Sequence, residues 1–390
     1  MSNLRVRILL KLAPAGLIVL STAFAITLGE VVARFVVNPA DFLHATTVED
    51  EVLGLRIPPL TTGHDALGFR NLAVPARADI VAIGDSMTYG VSASFNASWP
   101  QQLGGLLGVP VYNMGLGGFG PLQYLHLAQG MAKALKPRLM VVGFYFGNDL
   151  MDAYYVAHGR PHWHSWRIST TAESGQTAFD RAGQAEPKKR FETLRNWLSR
   201  NSVLYSMLRD SVLRRFAARE QDKLAVGSSP DVRMLWNDPS NPSVRTIFTP
   251  QYRLAAVDLG IPAVREGMQI SQKAFVALKA EADRQGALLL VVLIPTKERA
   301  YCRRLGEIGA TLPESYRKLC DAESLANAEL VRFLAGQAIA HVDVLPALES
   351  HIQRQIQLYP ADADSHPQAS GYQAIAREVA AAVRRLLPNQ

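Results

Sequence analysis

The sequence predicts a three-layer α/β/α domain built on a parallel sheet, carried on one membrane-spanning helix and broken by a mainly helical insertion. Three observations predict it. Short, continuously apolar runs of strand length recur along the chain, stretches of helical periodicity separate them, and one uncharged run near the N-terminus is long enough to cross a bilayer. Of the 390 residues 48% are hydrophobic and 19% charged, which suits a large buried core and excludes a fibrous or disordered chain.

The N-terminal run comes first. Residues 12–29 carry no charge, Arg5, Arg7 and Lys11 precede them, and Glu30 and Arg34 follow. Basic residues ahead of an apolar span leave the short N-terminus in the cytoplasm and the rest of the chain outside it, in the periplasm of a bacterial cell. A cleaved signal peptide competes, because Ala23-Phe24-Ala25 resembles a cleavage site. Apolar character continues past that site through residues 26–28 and 31–37, which favours a retained anchor. The expected organisation is an anchor at 1–38, a lead-in at 39–75 and a catalytic-type domain at 76–390, interrupted at about 151–262.

Residues 79–83 form the first core strand, followed by a helix over 99–107. Residues 109–113 form a second strand that ends in glycines, and 123–135 a helix. The run RLMVVGFY at 138–145 is a third strand, apolar on both faces as in a sheet covered on both sides. Residues 287–294 and 340–345 supply the fourth and fifth strands, and an amphipathic helix over 371–387 closes the chain. Between 151 and about 262 the alternation stops. There Phe191, Leu194, Trp197, Leu198, Leu204, Leu208, Val212 and Phe216 recur at helical spacing, with Lys188, Lys189, Arg190, Arg195, Arg200, Arg209, Arg214, Arg215 and Arg219 at other positions. Such a helix packs on the core with a solvated basic face, or lays that face on anionic lipid headgroups.

The formal charge of +7 favours anionic partners, yet no nucleic-acid module, paired CxxC or zinc spacing accompanies it, so no nucleic acid is expected. Cys302 and Cys320 are too few for a disulfide scaffold; they either pair or serve as two small apolar residues. Gly115-x-Gly117-x-x-Gly120 imitates a dinucleotide fingerprint, but it follows the second strand and no acid appears until Asp149. His158, His162 and His164 lack acid or cysteine companions at ligand spacing. Neither a cofactor nor a metal is expected.

The chemistry gathers at strand ends. Gly84-Asp85-Ser86-Met87-Thr88-Tyr89-Gly90 follows the first strand, placing a serine at the carboxyl edge of the sheet and at a helix start. By itself such a turn is as well explained by a helix cap. The second strand ends in Asn113-Met114-Gly115-Leu116-Gly117-Gly118-Phe119-Gly120 and the third in Phe146-Gly147-Asn148-Asp149, where a glycine N–H and an asparagine amide can hold an oxyanion. Asp362-Ala363-Asp364-Ser365-His366-Pro367 brings a carboxylate and an imidazole together just before the last helix.

Four such blocks in this order resemble the SGNH (GDSL-like) hydrolases, over residues 79–149 and 287–387. The insertion lies outside the resemblance. The resemblance implies a flavodoxin-like sheet, Ser86 as nucleophile, His366 as base, and the Ser86 N–H, Gly118 and Asn148 as oxyanion donors. Many members carry the acid three residues before the histidine, where this chain has Ala363; Asp364 takes the role as in a shorter form of the motif, and Asp362 competes for it. Gly68-Phe69-Arg70 and Ile294-Pro295-Thr296-Lys297-Glu298, with Tyr301, look like a membrane-anchored bacterial branch. Lys297 and Tyr89 are candidate substrate-binding residues; an exposed helix-start lysine explains Lys297 equally well.

The expected activity is a serine esterase acting on an ester, an acetyl ester among the candidates, outside the cytoplasm. Transfer to, or removal from, an acylated cell-envelope polysaccharide uses the same acyl-enzyme and is the alternative. A binding protein that keeps the fold without the chemistry is a third reading, and the four intact blocks argue against it.

Overall fold

The computed structural model describes residues 2–42, 45–169, 192–209 and 224–388. Helix α1 (Ser2–Val36) runs unbroken through Ala23-Phe24-Ala25; within it Gly16–Val36, at a mean hydropathy of 1.9, is long and apolar enough to cross a membrane. The segment that follows is more than a lead-in. It forms a small hairpin, β1 (Val48–Asp50) with β2 (Gly54–Arg56), and sends Leu53, Ile57 and Phe69 into the main core.

The first core strand is β3 (Ile80–Gly84), followed by the one-turn helix α2 (Ser86–Tyr89) and by α3 (Trp99–Leu107). Next come β4 (Val111–Gly115), α4 (Pro121–Leu127), β5 (Leu139–Tyr145) and α5 (Asp149–Gly159). Beyond them lie α6 (Glu192–Asn201), α7 (Val203–Leu208), a second hairpin of β6 (Met234–Asn237) and β7 (Arg245–Phe248), and α8 (Pro250–Val257). The chain then alternates again: α9 (Pro262–Arg284), β8 (Leu288–Ile294), α10 (Lys297–Glu307), α11 (Glu314–Gly336), β9 (Ala340–Asp343), α12 (Leu345–Gln353) and α13 (Ala369–Leu386).

The central sheet is parallel throughout, in the order β4-β3-β5-β8-β9, which is the doubly wound flavodoxin-like order. Successive side chains of a strand point to opposite faces, and the two cores divide accordingly. Val81, Ile83, Val142, Phe144, Val291 and Leu293 join one cluster with α4, α5, α9 and α11. Ile80, Ala82, Val141, Val292 and Ile294 join the other with α3, α10, α12 and α13. Burial on both faces is why these strands read as unbroken apolar runs.

Two features of the region 151–262 depart from the expectation of a helical insertion. Its first helix, α5, belongs to the core layer, and its second half contains the β6–β7 hairpin. The hairpin leaves little trace in the sequence, because only four residues pair on each side and Pro239 and Pro242 crowd its loop. Of the expected amphipathic stretch, Leu194, Trp197, Leu204 and Leu208 fall on α6 and α7, whereas Phe191, Val212, Phe216, residues 188–190, Arg214, Arg215 and Arg219 lie outside the described residues. Cys302 and Cys320 are paired, with Cα atoms 6.1 Å apart, joining α10 to α11.

Candidate active site

Three glycines prepare the floor. Gly84, at the end of β3, is in register with Gly115 of β4 on one side and Gly143 of β5 on the other. A Cβ at Gly84 or Gly143 would stand 2.0 or 2.5 Å from Thr88 Oγ1, and one at Gly115 would stand 2.3 Å from the Tyr89 nitrogen. No side chain fits in this space. The turn carrying Ser86 can therefore rest directly on the sheet.

Asp85 caps that turn, accepting from the Met87 N–H at 2.9 Å, and Gly90 ends it with a left-handed φ of 87°. The helix begun by Ser86 is only one turn long, so a helix dipole contributes little at its start. Ser86 Oγ lies 2.8 Å from His366 Nε2, and His366 Nδ1 lies 2.6 Å from Asp364 Oδ1. Three residues from opposite ends of the domain thus form one hydrogen-bonded chain.

Asp362 has a different position. Its Oδ1 accepts from the Asp364 N–H at 2.9 Å, and its carbonyl accepts from the Ile247 N–H, so it shapes the turn without touching the imidazole. Ser92 also donates to Asp364. Burial raises the Asp364 carboxyl, but the hydrogen bond and charge of His366, helped by Ser92, outweigh it and hold the group far below the usual carboxylate range. It is ionised whenever the imidazole needs a partner.

Gly117 abuts Ser86, since a Cβ there would stand 3.5 Å from Ser86 Cβ, and Gly118 follows with a left-handed φ of 83° that a side chain would strain. Asn148 precedes α5 and donates through Nδ2 to Asp152 Oδ2 at 2.6 Å, leaving its second amide hydrogen for another acceptor. Behind Gly118 and Asn148 sit three acids, Asp85 and Asp149 fully buried and Asp152 partly so. Burial pushes Asp85 up to about 6, burial and the charge of Asp85 push Asp152 up to about 7, and burial with both neighbours lifts Asp149 well above its ordinary range.

Beside the triad opens a cavity of about 750 Å³, whose wall includes Gly117, Ser92, Tyr89, Leu55, Phe42 and Arg209. Tyr89 lines it, and its hydroxyl is held by His64 Nε2 at 3.0 Å. The Gly68-Phe69-Arg70 segment proves to be the brace for this wall. Arg70 is buried and donates to the carbonyls of Gly90 and Ala93 and to Asp41, while a Cβ at Gly68 would strike the Ile57 carbonyl at 2.1 Å.

Lys297 requires a correction. It is fully buried and cannot meet a substrate; its ammonium donates to Thr246 Oγ1 and to the carbonyls of Ile247, Asp362 and Asp364, at 2.7 to 3.2 Å. Burial lowers it to about 8. The lysine reaches the back of the histidine loop because the β6–β7 hairpin folds over it, which spacing alone does not reveal. Arg253, also unforeseen, bridges the other side, donating to the Gly147 carbonyl at 3.0 Å and to Ser365 Oγ at 2.6 Å. His158, considered above for a metal, is paired with Glu266 at 2.8 Å.

No family model matches the chain, and no curated protein does. Among solved structures it is similar to SGNH and GDSL hydrolases. A member of the lipolytic G-D-S-L family from Veillonella parvula is 11% identical at a TM-score of 0.36, over 77% of this chain and 94% of that one. An acetylxylan esterase from Geobacillus stearothermophilus, a catalytic mutant, is 10% identical at 0.37, over 80% and 94%. A GDSL-like lipase from Bacteroides thetaiotaomicron is 10% identical at 0.33, over 79% and 88%.

Proposed function

We propose that this protein is a serine ester hydrolase that works through an acyl-enzyme on the outer side of a membrane. One observation carries the proposal: the continuous hydrogen-bonded chain from Ser86 Oγ through both nitrogens of His366 to the Asp364 carboxylate. Ser86 Oγ attacks the ester carbonyl carbon while its proton passes to His366 Nε2. Asp364 keeps the other proton on Nδ1 and stabilises the imidazolium. The Ser86 and Gly118 N–H groups and the free amide hydrogen of Asn148 are the donors for the oxyanion. Collapse breaks the bond to the alcohol oxygen, which leaves with the proton from His366. Water, deprotonated by the same nitrogen, then attacks the acyl-enzyme and releases the acid and free Ser86.

A fluorophosphonate probe tests this directly, because it labels only an activated serine. Wild-type protein is labelled; Ser86→Ala and His366→Ala are not. Labelling that survives Ser86→Ala refutes the assignment, and a folded wild type that stays unlabelled returns the chain to the binding-protein reading. Supplying an envelope polysaccharide together with a 4-nitrophenyl ester separates hydrolysis, which yields free acid alone, from transfer, which acylates the acceptor.

The anchored location is supported by the unbroken course of α1 past residue 25 and by the docking of its last turns on the folded domain. A reporter fused after Gln390 should be active only outside the cytoplasm. A mature chain that begins at Ile26 and washes off membranes would replace the anchor with a signal peptide.

A further inference from the structure

The end of α1 is built into the insertion. Glu30, the first charged residue after the uncharged run, caps the next helix of the insertion: its carboxylate accepts from Ser202 Oγ at 2.8 Å and from the Val203 and Leu204 N–H groups at 2.9 and 3.0 Å. Arg34 donates to Glu30 and to the Asn201 carbonyl at 2.7 Å. Ala33 and Val203 are buried against each other, with Val37, Phe42 and Met207 packed around them. The α6–α7 pair is thereby fixed at the level where the apolar span ends.

That pair carries apolar side chains with no cover among the described residues. Leu194, Trp197 and Leu208 are each more than half exposed, as are Phe35 and Val36 in the last turn of α1. Arg195 and Arg200, also exposed, share α6 with Leu194 and Trp197. Tryptophan and leucine beside basic residues, adjoining the end of a span, form the pattern of an interfacial element. Phe42 then links this junction to the cavity beside the triad, since it packs on the Ala33 cluster and also lines the cavity, with Arg209 just after α7.

We propose that α6 and α7 lie on the surface of an anionic bilayer beside the anchor, so that the cavity next to Ser86 opens at headgroup level and takes its ester from a membrane-embedded amphiphile. This rests on the anchored-esterase reading above. A cavity placed there meets lipid-borne esters at the high local concentration of the membrane surface, whereas a soluble ester must arrive from bulk.

Full-length protein reconstituted in phosphatidylcholine–phosphatidylglycerol vesicles gives the test. The Trp197 contribution to fluorescence, obtained by difference from Trp197→Phe, should be quenched about twofold when the acyl chains are brominated, as for a side chain at the acyl boundary. Omitting phosphatidylglycerol, or replacing both arginines in Arg195→Gln/Arg200→Gln, should weaken the quenching. Glu30→Ala, which releases α7 from the anchor, should weaken it too while the protein stays in the vesicles and still melts in one cooperative transition, at a Tm lowered by about a few degrees for the lost cap. Unquenched Trp197 in protein that resists an alkaline wash overturns the surface contact, and protein that washes off overturns it together with the anchor. For the cavity, a fluorogenic lipid ester in the enzyme's own vesicles should be cleaved at least about tenfold faster than one in separate vesicles. Equal rates refute the placement of the cavity. Wild type that quenches normally yet cleaves no ester refutes the esterase reading alone.

Discussion

Replacing Gly143 by alanine tests whether the glycine floor is what seats Ser86. The new Cβ would stand 2.5 Å from Thr88 Oγ1, while its next neighbours, Trp99 and Ile294, are at an ordinary 3.5 and 3.6 Å. Unbonded heavy atoms settle at about 3.5 Å, so Thr88 must retreat by about 1 Å. Thr88 and Ser86 share one turn of helix, and the displacement passes to the Ser86 hydroxyl. A misplacement of about 1 Å at a reacting atom costs about a hundredfold in turnover, and forcing a methyl into a packed core costs about 1–3 kcal/mol. Gly143→Ala should therefore lower kcat on 4-nitrophenyl acetate about a hundredfold and lower Tm by a few degrees. Thr88 Oγ1 is buried with no hydrogen-bond partner among the described residues, so Thr88→Ala removes the obstacle at little polar cost. The double variant Gly143→Ala/Thr88→Ala should regain most of the lost turnover. Gly143→Ala/Thr88→Val, which puts a methyl where the oxygen was, should not. A wild-type kcat in Gly143→Ala, or a loss that persists beside Thr88→Ala, would refute the reasoning.

Three further outcomes follow from the site. Asp364→Asn should cost about 10⁴ in kcat, as loss of the orienting acid does in other triads, with Asp362→Asn close to wild type once their melting temperatures match; the reverse ranking would exchange their roles. Lys297→Met should lower kcat and Tm and leave KM nearly unchanged, because the lysine holds the carbonyls of Asp362 and Asp364; a raised KM at constant kcat would restore it as a substrate contact. The third concerns Asp152, whose carboxyl is raised from 3.8 to about 7 in the folded protein. Between those values the folded state binds the extra proton, so the stability from this group is present below about pH 4 and lost as the pH rises toward 7. Asp152→Asn, neutral at every pH, should therefore gain in Tm relative to wild type between pH 5 and about pH 8, and melting curves that stay parallel across that range would contradict it.

The strands and the reactive residue types were legible in the sequence because each depends on local pattern. A strand buried on both faces must be a continuous apolar run, as at residues 139–145 and 288–294, and active groups of a doubly wound sheet sit where such runs end. The pattern therefore marked the strand ends that carry Ser86, Gly118 and Asn148 and the loop that carries Asp364 and His366, while the role of each residue came from the resemblance of the four blocks to the SGNH hydrolases. What spacing cannot carry is direction and burial. Lys297 looked like a lysine free to meet a substrate, and only the hairpin at residues 234–248, too short to announce itself, turns it inward beneath the histidine loop. Gly84, Gly115 and Gly143 lie far apart in sequence, and their common purpose exists only once the register of three strands sets them side by side under Thr88. Arg70 and Arg253 likewise bind carbonyls contributed by other segments, and a carbonyl leaves no mark in a sequence. The sequence by itself determined which reactive residue types stand at the strand ends and at which edge of the sheet. The tertiary structure decided which of two aspartates faces the imidazole and which cations support the loop, because long-range contacts fix those positions and local preference does not.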